Sequence, residues 1–264
     1  MAKSSKEFVI ILGAGASCPA GLPGWEGLRD GLLKKLENYY VDTGVDEKEK
    51  KKKISEIKET SNLWDAFSDL RHELHQLDYI ETIKDLLSTS DKEVPELYNL
   101  IWDLNIAGIV TYNLDDFASK SNNKIDVSHW KEAERYANYL LNNGFVFHPH
   151  GMLTDPKSWV LTRQDKEYAY KDENFNKFMT SLINTKHILI VGFNPRDQIF
   201  LDMLKNVSIS AENKDRTMFY LCPSENKTIS TTDYRKLADY GICTIPYISD
   251  NNHRYVNDFF KDLR

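Results

Sequence analysis

Five short apolar runs, separated by segments of helical periodicity, limit what this chain can fold into. They occupy residues 8–12, 107–111, 187–191, 218–222 and 242–245. Each is rich in β-branched or aromatic residues, and most are bounded by Gly, Pro or Asn, as a strand covered on both faces should be. Between them, Leu28, Leu32, Leu33 and Leu36 mark one helical face, and Leu63, Phe67, Leu70 and Leu74 mark another. Strands alternating with helices predict an α/β protein with a doubly wound, mostly parallel sheet. Residues 41–105 break the rhythm, because they hold a charge run, DEKEKKKKISEIKE, and then helical material with Trp64, Phe67, Tyr79 and Trp102. That stretch is longer than an ordinary connection and reads as a helical insert in a single domain spanning 1–264. Lys50–Lys53 read as a solvated face.

Bulk composition narrows the function classes. The 264 residues carry a net charge of -6, which argues against a general nucleic-acid binder but not against a nucleotide ligand. No apolar run approaches the roughly 20 residues that cross a bilayer. The polar start has no apolar signal region, so a cytoplasmic protein without membrane contact is expected. Cys18, Cys222 and Cys243 lie far apart with no CxxC pair, so neither a zinc ribbon nor a disulfide framework is predicted.

Four loops at strand ends carry unusual chemistry, and in an open α/β sheet ligands sit at those ends. In GAGAS, Gly13 and Gly15 permit close backbone approach, so the amides of Gly15, Ala16 and Ser17 can face a pyrophosphate. A tight structural turn remains the alternative, since Cys18 stands where the third glycine of GxGxxG belongs. In VTYNLDDF, Asn113 can orient a water or a ribose hydroxyl, with Asp115 and Asp116 behind it. The alternative is that Asn113 or Asp115 caps the next helix. In FHPHGML, His148 and His150 flank Pro149, and Gly151 lets a ring turn into a cleft where it can take a proton near neutral pH. Structural histidines are the alternative. A metal is not expected, because no carboxylate or cysteine cluster accompanies them. In VGFNPRDQ, Gly192 again allows close approach, and Pro195 can open a helix through Arg196 and Asp197, although an ordinary strand-to-helix turn reads the same way. Residues 145–162 read as a short strand, a turn and a second short strand.

In order, GAGAS with a following GxP, then TxNxD, then HG, then Gly-Phe-Asn with an Asp beyond, the set resembles the sirtuin-like family. The resemblance runs from about residue 11 to 204. It implies a Rossmann-like sheet and NAD as substrate. The chain departs from the deacylases of that family. Gly24, Trp25 and Glu26 stand where they carry Asp-Phe-Arg, Tyr112 replaces a Gln, and the helical insert takes the place of the zinc module. These differences, with the stretch HGMLTDPKSWVLTRQDKEYAY, are similar to the bacterial branch used in antiphage defence, whose members hydrolyse NAD once a sensor or an oligomeric state releases them. On that resemblance Gly13, Ala14, Gly15 and Ser17 cradle the pyrophosphate, and Asn113 holds a ribose hydroxyl or water. Asp115 supports the nicotinamide end or the Asn113 loop, and His150 acts as base on a ribose hydroxyl or water. Gly192, Asn194 and Asp197 contact the adenosine half, with Cys222 and Pro223 near adenine. The implied products are nicotinamide and ADP-ribose, and the implied partners are further copies of the chain or a separate sensor protein. A deacylase, an ADP-ribosyl transferase, or a module that senses NAD or ADP-ribose fits the same motifs.

Overall fold

The computed structural model describes residues 7–138, 144–194, 200–202, 205, 218–224, 230, 235, 237–250 and 254–264. Seven strands form one sheet: β1 Phe8–Leu12, β2 Ile106–Thr111, β3 Asp126–His129, β4 Phe145–His148, β5 His187–Val191, β6 Met218–Ser224 and β7 Ile242–Ile248. Their order is β3-β4-β2-β1-β5-β6-β7, and every neighbouring pair is parallel. The chain works outward from β1 on one side and returns to β5 on the other. The reversal of strand order therefore falls between β1 and β5, where open α/β sheets bind their ligands.

Alternate side chains of β1 feed two cores. Val9 and Ile11 pack in one cluster with Leu28, Leu32, Phe67 and Phe178. Ile10 and Leu12 pack in the other with Tyr98, Ile101, Phe117 and Phe260. Burial on both faces is why the strand reads as an unbroken apolar run. The first face is covered by α1 (Trp25–Thr43), α3 (Leu63–Glu73), α4 (Gln76–Leu86), α7 (Arg163–Ala169) and α8 (Glu173–Thr185), with α2 (Glu47–Glu59) set against α1 and α3. The second carries α5 (Glu96–Asp103), α6 (Phe117–Lys120) and α9 (Arg254–Asp262). The doubly wound parallel sheet and the helical stretch between its first two strands are as the sequence predicts, although α1 runs past residue 41.

Two details differ. The polar strand β3 has no counterpart in the sequence reading; it pairs only with β4, at the sheet edge. The second short strand expected within 145–162 is absent. There the chain makes a 3-10 turn over Pro156–Ser158, and Val160 N–H donates to His150 O at 2.9 Å. Trp159, Val160 and Leu161 are apolar because they are buried, with no strand pairing to explain. The helix expected from Pro195 lies outside the described residues.

Candidate functional site

At the switch point, the loop after β1 and the loop after β5 lie backbone to backbone. Gly13 N–H donates to Val191 O at 2.9 Å, and Gly15 N–H donates to Gly192 O at 2.8 Å. A Cβ on Gly13 would sit 2.7 Å from Gly192 O, and one on Gly192, whose φ is +80°, would sit 2.7 Å from Ala16 N. The glycines are thus required by this contact between loops, whatever else they serve. The amides expected to face a pyrophosphate are already used: Ala16 N–H donates to Gly13 O and Ser17 N–H to Ala14 O, each at 3.0 Å, beside the Gly15 bond. The expectation for these three amides therefore does not hold in this structure.

Ser17 is 2% exposed and looks inward. Its hydroxyl donates to Asp115 Oδ2 at 2.8 Å and lies 2.8 Å from the Tyr98 hydroxyl. Asn113 Nδ2 donates to Gly13 O and to Ser17 Oγ, both at 3.1 Å. Its backbone carbonyl accepts from His148 Nδ1 at 3.0 Å, which fixes the proton of that neutral ring on Nδ1. Asp115 Oδ1 accepts from Phe117 N–H at 3.2 Å, so this residue both caps the start of α6 and binds Ser17. Burial raises the Asp115 carboxyl to a pKa of about 6, against the Ser17 and Phe117 hydrogen bonds that pull it down. Burial likewise lowers His148 to about 4.

An open cleft of about 1920 Å³ runs past the carboxyl ends of β5, β6 and β7. Ala14, Gly15, Gly192, Asn194, Cys222 and Pro223 all line it, so these sequence-predicted residues come together. The first turn of α1, Gly24–Gly27, lines it as well. A small side pocket joins Ala14 and Ser17 to Trp25, Tyr112, Asn113 and Asp115. Asp197 lies outside the described residues.

His150 is the exception. Its ring is 0% exposed and does not line the cleft. Tyr112 stands edge-on at 4.7 Å between ring centroids, Trp64 at 5.5 Å and Trp25 at 5.8 Å. Nε2 lies 3.0 Å from the Tyr170 hydroxyl, and Nδ1 is buried without a hydrogen-bond partner. Desolvation drives its pKa down to about 3, with Lys166 adding a smaller push the same way. Gly151 does turn the chain, at φ +87°, but it does so to clear Ser158, whose carbonyl oxygen a Cβ would meet at 2.3 Å. The ring expected to face a cleft is packed instead among four aromatic residues, Trp25, Trp64, Tyr112 and Tyr170.

Trp64 and Tyr98 were not expected in this region, while Trp25 and Tyr170 were marked only by their places in the family-like stretches. Their signal was ordinary, since aromatic residues on helices look like core: Trp64 and Tyr98 are buried in it, and Trp25 and Tyr170 pack against it partly buried. Among the described residues, no group of three or more His, Cys, Asp or Glu is placed to hold a metal ion, and no helix is long and apolar enough to cross a membrane.

A family model described as SIR2-like domain matches residues 107–245, a little over half of the chain. The match takes in Asn113, Asp115, His150, Gly192 and Asn194 and begins after the glycine loop. No curated protein matches the chain.

Proposed function

The chain belongs to the SIR2-like domain family, and from that premise we propose that it is an NAD glycohydrolase, releasing nicotinamide and ADP-ribose. SIR2-like domains use NAD as substrate. The observation that carries the reading is the junction at the switch point. Two glycine loops meet there, Asn113 reaches across from β2 to the first of them, and a cleft with room for a dinucleotide opens alongside. With the Gly15, Ala16 and Ser17 amides engaged, the pyrophosphate falls to the cleft wall formed by Ala14, Gly15 and the first turn of α1. The N–H groups of that turn have no partners within the helix. Gly192 and Asn194 flank the adenosine half, with Cys222 and Pro223 beyond them, and Asp197 keeps the same adenosine-side role by resemblance. Asn113 and Asp115 border the small side pocket, on the side assigned to the nicotinamide end.

In the reaction, the bond from C1′ of the ribose to the nicotinamide nitrogen breaks, and its electron pair leaves with the ring, which becomes neutral. A water oxygen bonds to C1′ and gives up its proton to His150. The arrangement described is a resting one, because Trp25 must turn aside before a ribose reaches that ring. Contact with water and substrate then restores the basicity that burial suppresses, toward the range in which a general base works well. A separate sensor protein or self-assembly is the natural trigger. NAD depletion as an antiphage effector is the role to which the resemblance to that branch leads.

The test is incubation of the purified protein with NAD alone. Nicotinamide and ADP-ribose should appear in equal amounts, and Asn113→Ala or His150→Ala should slow their release by about 10²–10⁴-fold with folding intact. NAD loss only when a peptide or other acceptor is supplied assigns deacylation or ADP-ribosyl transfer instead. Tight NAD binding without turnover assigns a sensing module.

A further inference from the structure

Tyr98 comes from α5, on the sheet face opposite α1 and α3, and it is fully buried. Its hydroxyl lies 2.8 Å from Ser17 Oγ. Ser17 has one proton, and Asp115 takes it at 2.8 Å; the other oxygen of that carboxylate accepts from Phe117 N–H. With the serine proton committed, Tyr98 must donate, and Ser17 Oγ accepts from Tyr98 and from Asn113. The second amide hydrogen of Asn113 goes to Gly13 O. A flipped amide would set its oxygen against that carbonyl, so the orientation is fixed, and Asn113 has only its side-chain oxygen left to offer a ligand.

We propose that Tyr98 is a positioning residue: its donated hydrogen bond fills one lone pair of Ser17 Oγ, which holds the serine proton on Asp115 and leaves the other lone pair to the Asn113 amide. The catalytic consequence rests on the NAD hydrolase reading above; the hydrogen-bond order does not. Two donors in series, Tyr98 to Ser17 to Asp115, also favour the carboxylate over the acid, since each polarises the next. The other titratable groups facing Asp115 are Cys18 on the glycine loop and its neighbour Asp116.

Carboxyl-carbon NMR titration of the full chain tests this directly. In Tyr98→Phe the apparent pKa of Asp115 should rise by about half a pH unit or more. Tyr79→Phe removes the same atom from a buried hydroxyl that has no partner, and should leave Asp115 where it was. In NAD hydrolysis, Tyr98→Phe should lower kcat about tenfold with KM within about twofold, and move the acid limb of the pH profile upward with Asp115. Tyr79→Phe should change none of these. Should Tyr98→Phe fail to fold, 3-fluorotyrosine at position 98, a stronger donor in the same place, should lower the Asp115 pKa, and an unchanged titration overturns the proposal. An Asp115 titration identical to the wild type, or one that moves while kcat and the acid limb stay put, overturns the proposal. A wild-type protein that turns over no NAD sinks the hydrolase reading alone, and the carboxyl titration still decides the role of Tyr98.

Discussion

A single methyl group shows how tightly the switch point is built. On Gly192 it would have to fit a φ of +80° and would meet Ala16 N at 2.7 Å. Gly192→Ala should therefore cost about 2 kcal/mol or more, read as a lowered urea midpoint at unchanged slope. A cost below about 0.5 kcal/mol would mean that the two loops part easily. Acid should act on the buried titratable groups with opposing signs. Between about pH 6.5 and 4 the unfolded chain protonates His148 and His150, which the fold keeps neutral down to about 4 and 3, so stability falls with pH. Asp115 works the other way, because the folded form binds its proton from about pH 6 downward, ahead of the unfolded chain. Asp115→Asn should thus steepen the acid loss of stability, and a shallower slope would contradict the assigned burial. At this scale the sequence marked Gly13, Gly15 and Gly192 as places of close backbone approach and put Asn113, Asp115 and Asn194 at strand ends, but it did not show that His150 is enclosed. It did not show Tyr98 or Trp64, because an aromatic residue on the apolar face of a helix carries no mark of where its hydroxyl or ring edge will point.

Among the elements, α7 has the most explicit instructions. Thr162 and Asp165 form a reciprocal capping box, and Asp165 also receives Arg71 from α3 at 2.8 and 2.9 Å. Arg163 pairs with Asp65 of the same helix, at 2.6 Å for both contacts. Thr162→Ala should cost about 1 kcal/mol in chemical denaturation, because a buried cap is lost. Asp65→Asn should cost less than that, since its partner is largely in water. The reverse ranking would show that the ion pairs, not the cap, hold α3 against α7. Apolar runs revealed five of the seven strands, the short strand expected at the start of 145–162 is β4, and periodicity revealed the helices. Strand β3 escaped because an edge strand with a solvated face needs little apolar character. The false second strand within 145–162 had the opposite cause: burial of Trp159, Val160 and Leu161 gives the same composition as pairing does.

Over the whole molecule, strand–helix alternation was enough to place the glycine loops and Asn113 at one end of one sheet. What it could not give was the covering of His150, which depends on how Trp25 and Trp64, from different helices, close over a distant turn. Diethyl pyrocarbonate should modify His150 slowly in the wild-type protein and much faster in Trp25→Ala. Equal rates would mean that Trp25 is not the cover. The order of the strands has a further effect, on how the chain is made. Strand β1 is synthesised before either of its neighbours, and it registers with Ile106 on one edge and with His187 on the other. One edge of this apolar strand stays unpaired until β5 has been synthesised, so the contact between the loops after β1 and β5 is shaped late in folding, and chains stalled before residue 187 should be prone to aggregate.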